Sequence, residues 1–206
     1  GYNPNWTDFA DVWRGEYQPG MEEVRSGRIP FCKLDVLHRR NLERFMPRFG
    51  LRDLSDDVLH ELTLAWHRLD AWPEVPAALK RLKKKFLLAP VSNGNISLMV
   101  DLARRNDFGW DAILGAEVAG DYKPKPRVYL AACEAFDLKP AHCMMVAAHS
   151  SDLAAAAVRA GVLPAVVVPL PAAAGRQLRS AGPHRHRPRA RPGEGLRALQ
   201  ARLRRR

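Results

Sequence analysis

Apolar residues recur three and four positions apart through the first third of the chain, which is the spacing of one face of an α-helix. This pattern predicts helices over residues 8–17 and 33–49. Ser55 stands before a further stretch with the same period and is the predicted N-cap of a third helix. Residues 1–72 are therefore predicted to form a helical unit.

After Pro73 the pattern changes to short apolar runs that alternate with amphipathic helices. The runs predict four strands, at residues 86–91, 112–114, 143–148 and 165–168. The stretches around them predict four helices, at residues 74–85, 96–105, 127–136 and 152–160. Such alternation is typical of an α/β fold with a doubly wound parallel, Rossmann-like sheet, which we assign to residues 73–171.

The charge of the chain is concentrated at its C-terminal end. The formal net charge is +11, and residues 172–206 contain eleven arginines, no lysine and one acidic residue, Glu194. The rest of the chain is close to neutral, so the predicted fold shows no sign of a nucleic-acid-binding surface. Two interpretations of residues 172–206 stay open. They form a disordered basic tail that binds nucleic acid nonspecifically, or they result from a reading-frame shift in a GC-rich gene, which we favour.

Cysteine usage and hydropathy exclude several classes of protein. The three cysteines are scattered without C-x-x-C spacing, which argues against a disulfide framework and against a zinc ribbon. Residues 1–20 lack the pattern of a signal peptide, and prolines interrupt the apolar run at residues 160–175. We therefore predict a cytoplasmic protein without a membrane span, and the sequence is compatible with a homodimer.

Polar residues follow the predicted strands at the points where the strands end. Ser92 and Asn93 follow the first strand, and Lys123 lies in the loop after the second. His149 and Asp152 follow the third. Because ligands of parallel α/β sheets bind beyond the carboxyl ends of the strands, we expect these residues to form one polar site.

Three motifs carry a resemblance to a known family. V-S-N-G-N begins at Val91, Y-K-P-K-P-R-V-Y at Tyr122 and V-A-A-H-S-S-D-L at Val146. In order and separation they resemble the second, third and fourth motifs of the haloacid dehalogenase superfamily, and most of all its type II 2-haloacid dehalogenase branch. The segment from W-R-G-E-Y-Q-P at Trp13 to A-W-H-R-L-D-A-W-P at Ala65 resembles the helical cap of that branch. The resemblance implies hydrolytic removal of halide from a short 2-haloalkanoic acid, with no metal and no other cofactor.

The resemblance assigns catalytic roles to three residues. Lys123 would set the charge of the nucleophilic carboxylate, and Asp152 would orient Lys123 and the hydrolytic water. Ser92 would hold the carboxylate of the substrate. Each residue also has a simpler explanation: Ser92 as a strand-ending or helix-capping residue, Lys123 as part of a surface turn, and Asp152 as a carboxylate at a helix N-terminus.

Four further residues are candidate ligands of the substrate or of the halide. Asn93 would help to bind the departing halide, and Tyr129 would contact the same network. Arg14, from the cap, would form a cationic lid over the anion, because a guanidinium suits a carboxylate or halide well. An arginine in this position, taken by itself, is more often an ordinary solvated helix residue. His149 stands where these dehalogenases often carry an amide, and its role stays open.

Two alternative functions remain. Phosphatases of the same superfamily hold Mg²⁺ partly through two carboxylates four residues apart on the fourth motif. Here Ala148 stands four residues before Asp152, and this missing oxygen ligand favours metal-free dehalogenation. The other alternative is a non-catalytic remnant in which residues 172–206 bind nucleic acid.

The first motif of the family should read D-x-(F/Y)-G-T at the end of an apolar strand and should supply the nucleophile. No such segment occurs in the 206 residues, and Asp8, Asp11 and Asp35 lie in predicted helices. We therefore predict that the central first strand and the nucleophilic aspartate are missing. We further predict that these residues alone show no turnover and have low stability, because the flanking strands lose a pairing partner.

Overall fold

The structure is a computed structural model that describes residues 4–164. In this range the α-helices are α1 (Trp6–Gly15), α2 (Tyr17–Arg25), α3 (Leu34–Phe45), α4 (Asp56–Thr63), α5 (Val75–Leu82), α6 (Ile96–Asn106), α7 (Ala116–Ala119), α8 (Pro126–Glu134) and α9 (Ser150–Ala160). Short 3-10 helices span Met46–Phe49, Leu64–Arg68 and Pro140–His142. The strands are β1 (Val91–Ser92), β2 (Leu114–Gly115), β3 (Met144–Met145) and β4 (Leu163–Pro164). The predicted strand 165–168 and the predicted tail 172–206 lie outside the described residues.

Aromatic side chains build the core of the helical N-terminal part. Phe9 and Trp13, one turn apart on α1, are buried against Phe45 of α3, and the ring centroids of Phe9 and Phe45 are 5.0 Å apart. Leu59 and Leu62 of α4 complete the same buried cluster. Because aromatic and leucine side chains bury the most apolar area, these three helices hold together without a sheet.

The predicted helix boundaries hold only in part. The first predicted helix ends at Gly15, and a separate helix α2 begins at Tyr17, which the sequence pattern did not distinguish. The second continues as a 3-10 helix from Met46, next to Pro47, whose ring nitrogen cannot donate the hydrogen bond of an α-helix. Ser55 stands at the predicted N-cap of α4, but its side chain makes no capping hydrogen bond.

The α/β part contains two pairs of parallel strands. β1 pairs with β2, with Ser92 opposite Gly115, and β3 pairs with β4. Gly115 has a φ of 123°, and a Cβ atom there would lie 2.1 Å from the carbonyl oxygen of Ser92. Only glycine therefore allows β2 to approach the end of β1, where the candidate site begins. Parallel strands joined by crossover helices confirm the predicted α/β class.

The predicted strands are wrong over most of their lengths. The predicted strand 86–91 is reduced to Val91–Ser92, and Phe86 and Leu87 are 58% and 60% exposed. The predicted strand 143–148 is reduced to two residues, and Val146 is exposed. Long apolar runs are typical of interior strands of a parallel sheet, whereas β1 and β3 of the described sheets each pair on one edge.

An apolar groove with a volume of about 450 Å³ lies between the two strand pairs. Val91 and Leu114 line it from one pair, and Met145 and Leu163 line it from the other. The apolar side chains that the sequence pattern assigned to buried strands therefore lie along this groove.

His67 ties the helical part to the α/β part. Its Nδ1 lies 2.7 Å from Asp101 Oδ2 on α6, and its Nε2 lies 3.1 Å from Asp35 Oδ2 on α3. Asn95 donates to the same Asp35 oxygen at 2.8 Å. Burial by itself lowers the pKa of His67, but its hydrogen bonds to the two carboxylates outweigh burial and raise that pKa. The predicted boundary between residues 72 and 73 stays a prediction.

Candidate active site

The loop after β1 carries two of the predicted site residues. Ser92 Oγ accepts a hydrogen bond from the backbone N–H of Gly94 at 2.9 Å, which closes a tight turn. Asn93 is buried, and its Oδ1 accepts from the backbone N–H of Lys123 at 2.9 Å. Because Oδ1 is engaged, the Nδ2 amide is the end of Asn93 that can donate to an anion.

A lysine, a carboxylate and a phenol form the centre of the site. Lys123 Nζ donates to Asp152 Oδ2 at 2.6 Å, and Tyr129 Oη donates to Asp152 Oδ1 at 2.5 Å. Lys123 comes from the loop before α8, Tyr129 from α8 itself, and Asp152 from the first turn of α9. Burial and the hydrogen bond to Asp152 raise the pKa of Tyr129, so the phenol stays protonated and donates.

The helical part contributes Arg14 and Tyr17 to the same region. The Arg14 guanidinium carbon lies 4.7 Å from the centroid of the Tyr17 ring. The Tyr17 phenol is near enough to the side chain of Asn93 for that side chain to lower the pKa of the phenol. Burial raises the pKa of Tyr17, and the contacts with Asn93 and with the positive charge of Arg14 offset part of that rise. Arg14 is therefore connected to Asn93 through the Tyr17 ring.

Hydrogen bonds join four of the seven predicted residues, namely Asn93, Lys123, Tyr129 and Asp152. Ser92 precedes Asn93 in the chain, and its Oγ bonds to the Gly94 N–H and not to the other four. Arg14 is exposed and reaches the site only through Tyr17. His149 is exposed at the N-cap of α9, and its side chain takes no part in this hydrogen-bond network of the described residues. The roles of all seven stay predictions.

Sequence reasoning missed Tyr17 and Arg25. Tyr17 lies three residues after Arg14, a spacing that places two side chains on one helix face, so the sequence did hold a signal for it. Arg25 Nη1 donates to the carbonyl oxygen of Lys123 at 2.8 Å, across 98 positions of the chain. Nothing in the local sequence around Arg25 indicates that contact.

Two further observations concern residues 4–164. They hold no group of three or more histidine, cysteine, aspartate or glutamate side chains arranged to bind a metal ion. No helix among them has the length and apolar composition needed to cross a bilayer.

The family model and the curated relatives that match the chain all belong to one family. The family model described as haloacid dehalogenase-like hydrolase matches residues 6–158. (S)-2-haloacid dehalogenase 1 of Pseudomonas sp. (strain CBS-3) is 29% identical over 152 residues, which cover 72% of this chain and 66% of that protein. (S)-2-haloacid dehalogenase 4A of Burkholderia cepacia is 31% identical over 112 residues, which cover 53% of this chain and 46% of that protein. The chain therefore spans less than two thirds of these relatives.

Solved structures give the same result. The L-2-haloacid dehalogenase PA0810 superposes with a TM-score of 0.73 at 44% identity, over 76% of this chain and 68% of that one. The defluorinating L-2-haloacid dehalogenase Rha0230 superposes with a TM-score of 0.73 at 38% identity, over 76% of this chain and 64% of that one. The fold of residues 4–164 and the order of its elements are thus those of these structures.

Proposed function

The chain belongs to the haloacid dehalogenase-like hydrolases, and on that premise we propose that its site binds a short 2-haloalkanoate and serves its hydrolysis to a 2-hydroxy acid and halide. The observation that carries the proposal is the Lys123 ammonium held 2.6 Å from Asp152, on a residue whose backbone N–H donates to Asn93 Oδ1. The substrate class follows the names of the relatives, which are 2-haloacid dehalogenases.

The charges around the site suit a small anion. Lys123 is paired with Asp152, and Arg25 is paired with Glu22. No ion pair among the described residues involves Arg14, so no carboxylate balances the guanidinium that lies over the Tyr17 ring. We assign Arg14 to the carboxylate or halide of the ligand, Asn93 Nδ2 to the halide, and Ser92 to the carboxylate.

Asp152 is suited to orientation rather than to attack. Both of its oxygens accept strong hydrogen bonds, one from Lys123 and one from Tyr129. A carboxylate engaged in this way is a poor nucleophile, because its lone pairs are already stabilised. Asp152 therefore holds Lys123 in place, and we assign to it the orientation of the hydrolytic water.

The attacking carboxylate must come from another aspartate. In the reaction that the family resemblance implies, one carboxylate oxygen bonds to the 2-carbon as the carbon–halogen bond breaks and the halide leaves with the bonding electrons. Water then cleaves the resulting ester, which gives the 2-hydroxy acid and returns the carboxylate. The Lys123 ammonium favours the ionised form of such an aspartate.

The phosphatase alternative lacks a supporting observation. Ala148, exposed just before the N-cap of α9, offers no oxygen side chain where that mechanism needs a second carboxylate. Hydrolysis of p-nitrophenyl phosphate that depends on Mg²⁺ is the result that would favour it.

Binding of (S)-2-chloropropionate by the 206-residue chain tests the proposal. We expect the backbone amide signals of Asn93 and Lys123 to shift on titration in ¹⁵N NMR, and Lys123→Met to abolish these shifts. Lys125→Met, two positions away in the same loop, is the matched control and should bind as the unmodified chain does. Equal binding by both variants, or signals that do not move at all, would contradict the proposal.

A further inference from the structure

Arg25 is the last residue of α2, and its side chain is only 13% exposed. Its Nε donates to Glu22 Oε2 at 2.8 Å within the same helix. One arm of the guanidinium, Nη2, contacts the backbone carbonyl and the side-chain oxygen of Gln18 at 3.4 and 3.3 Å. These contacts fix the direction of the guanidinium, which leaves the other arm, Nη1, aimed at the α/β part.

The Nη1 group of Arg25 contacts the backbone of Lys123. Nη1 donates to the Lys123 carbonyl oxygen at 2.8 Å, a charge-assisted hydrogen bond in a partly buried position. The N–H of the same residue donates to Asn93 Oδ1 at 2.9 Å, and its ammonium donates to Asp152. Lys123 is thus held at its carbonyl, its amide and its side chain by three elements that are far apart in the sequence.

We propose that Arg25 is a positioning residue for Lys123, and that it makes the geometry of the lysine depend on the docking of the helical part. Of the three groups that hold Lys123, only Arg25 belongs to the helical N-terminal part. The guanidinium of Arg25 holds the backbone of Lys123 in place. A shift of α2 relative to the loop therefore also moves the Lys123 ammonium. The link between this geometry and ligand binding rests on the proposed function.

The neighbouring arginine Arg40 provides a matched control. It lies on α3 and pairs with Glu23 of α2, so its ion pair lies within the helical part and does not reach the Lys123 loop. Its side chain is 46% exposed. Loss of Arg40 therefore removes a guanidinium from the same helical part without removing a hydrogen bond to Lys123.

Hydrogen exchange of the Lys123 amide, measured on the full chain, is the first test. Arg25→Met keeps the length of the side chain but removes every donor, and we expect Lys123 N–H to exchange at least about tenfold faster in it, the effect of one lost charge-assisted bond. Arg25→Lys should restore part of the protection, and Arg40→Met should leave it unchanged. The amide of Val162, which bonds to Ala156 O within the α/β part, is the internal reference and should not change in any variant.

Affinity for (S)-2-chloropropionate is the second test. We expect Arg25→Met to weaken binding by about tenfold, Arg25→Lys to weaken it less, and Arg40→Met to leave it unchanged. Unaltered Lys123 exchange in Arg25→Met, or equal acceleration in Arg40→Met and at Val162, overturns the inference. If chloropropionate binds to none of the proteins, the proposed function fails, while the exchange experiment still decides whether Arg25 positions Lys123.

Discussion

The Lys123 ammonium donates to Asp152 Oδ2 at 2.6 Å, although helix α8 separates the two residues in the chain. Both side chains are 17% exposed, so the pair is largely removed from water. Such a pair stabilises a protein only while both charges are present, because a single charge left in that position keeps its desolvation cost without its partner.

A double-mutant cycle on this pair should show strong coupling. We expect Lys123→Met and Asp152→Asn each to lower the free energy of unfolding by roughly 2–4 kcal/mol, and the double variant by less than the sum. Tyr129→Phe removes one hydrogen bond and should cost about 1 kcal/mol. Urea unfolding measures the unmodified chain and these four variants, with Lys125→Met as the control. Additive effects would mean that the two side chains are not paired in solution.

The chain of 206 residues should release no chloride from (S)-2-chloropropionate above background. The expected cause is the lack of an attacking aspartate, since the oxygens of Asp152 are engaged by Lys123 and Tyr129. Fusing an apolar strand that ends in Asp-x-x-Gly-Thr ahead of Gly1 should restore release, and a change of that aspartate to asparagine should abolish it again. Repeated turnover by the chain alone would contradict this prediction, because it would show that a carboxylate among the 206 residues serves as the nucleophile.

His38 should make the protein sensitive to acid. The residue is 2% exposed, stacks on Trp66 at 4.5 Å, and has no hydrogen-bond partner for either ring nitrogen among the described residues. Burial lowers its pKa to about 4, against the opposing effect of Asp35 and with the help of His67 and Arg14. The unfolded chain takes up a proton near pH 6.5, so the stability that neutral His38 contributes is complete above that pH and is lost as the pH falls toward 4, by at most about 1.4 kcal/mol per pH unit.

Replacing His38 with leucine tests this effect. We expect the melting temperature of His38→Leu to exceed that of the unmodified chain increasingly as the pH falls from 7 to 5, because leucine has no proton to gain. His60 is the matched control: it lies on α4 in the same helical part, and its ring takes no part in the His38 stack. A constant difference between His38→Leu and the unmodified chain across that range would contradict the assignment.

His67 should stabilise the protein more at low pH than at high pH, which is the opposite of the effect of His38. Its pKa is raised by Asp35 and Asp101 despite its burial, so its contribution is complete below the unfolded pKa of about 6.5 and is lost as the pH rises through the raised folded value. We expect His67→Gln to destabilise the chain more at pH 6 than at pH 9 in urea unfolding. Because Asp101 is about half exposed, solvent screening limits the difference, and roughly 1 kcal/mol is expected. A larger loss at pH 9 would show that the ring is neutral.

The groove between the strand pairs should bind the aromatic rings of the anionic dye 8-anilinonaphthalene-1-sulfonate. Met144 and Val146 are 64% and 65% exposed, and both line the groove. We expect Met144→Thr with Val146→Thr to reduce the fluorescence of the bound dye severalfold, because exposed apolar area attracts such dyes. Val158→Thr is the control, since Val158 is 85% exposed on α9 but does not line the groove. Equal reduction in the control would show that the dye binds elsewhere.

The sequence by itself determined the class of fold and the approximate positions of most helices, although it did not predict α2 or α7. Periodicity depends on neighbours three and four positions away, so α6 begins at Ile96 as predicted and α9 begins within two residues of its predicted start. The alternation of apolar runs and helices predicted the parallel α/β class for the same reason. The sequence also indicated Ser92, Lys123 and Asp152 as candidate site residues, since each follows a predicted strand, and their roles stay predictions.

Only the tertiary structure decided which groups meet and how far the strands extend. Strand length depends on pairing across an edge, so Phe86 and Leu87 are exposed although their apolar run predicts burial. The bond from Arg25 to the Lys123 carbonyl joins elements 98 positions apart, and the lack of a partner for the ring of His38 depends on every side chain packed around it. Such contacts are set by the packing of whole elements, which no local pattern of residues records.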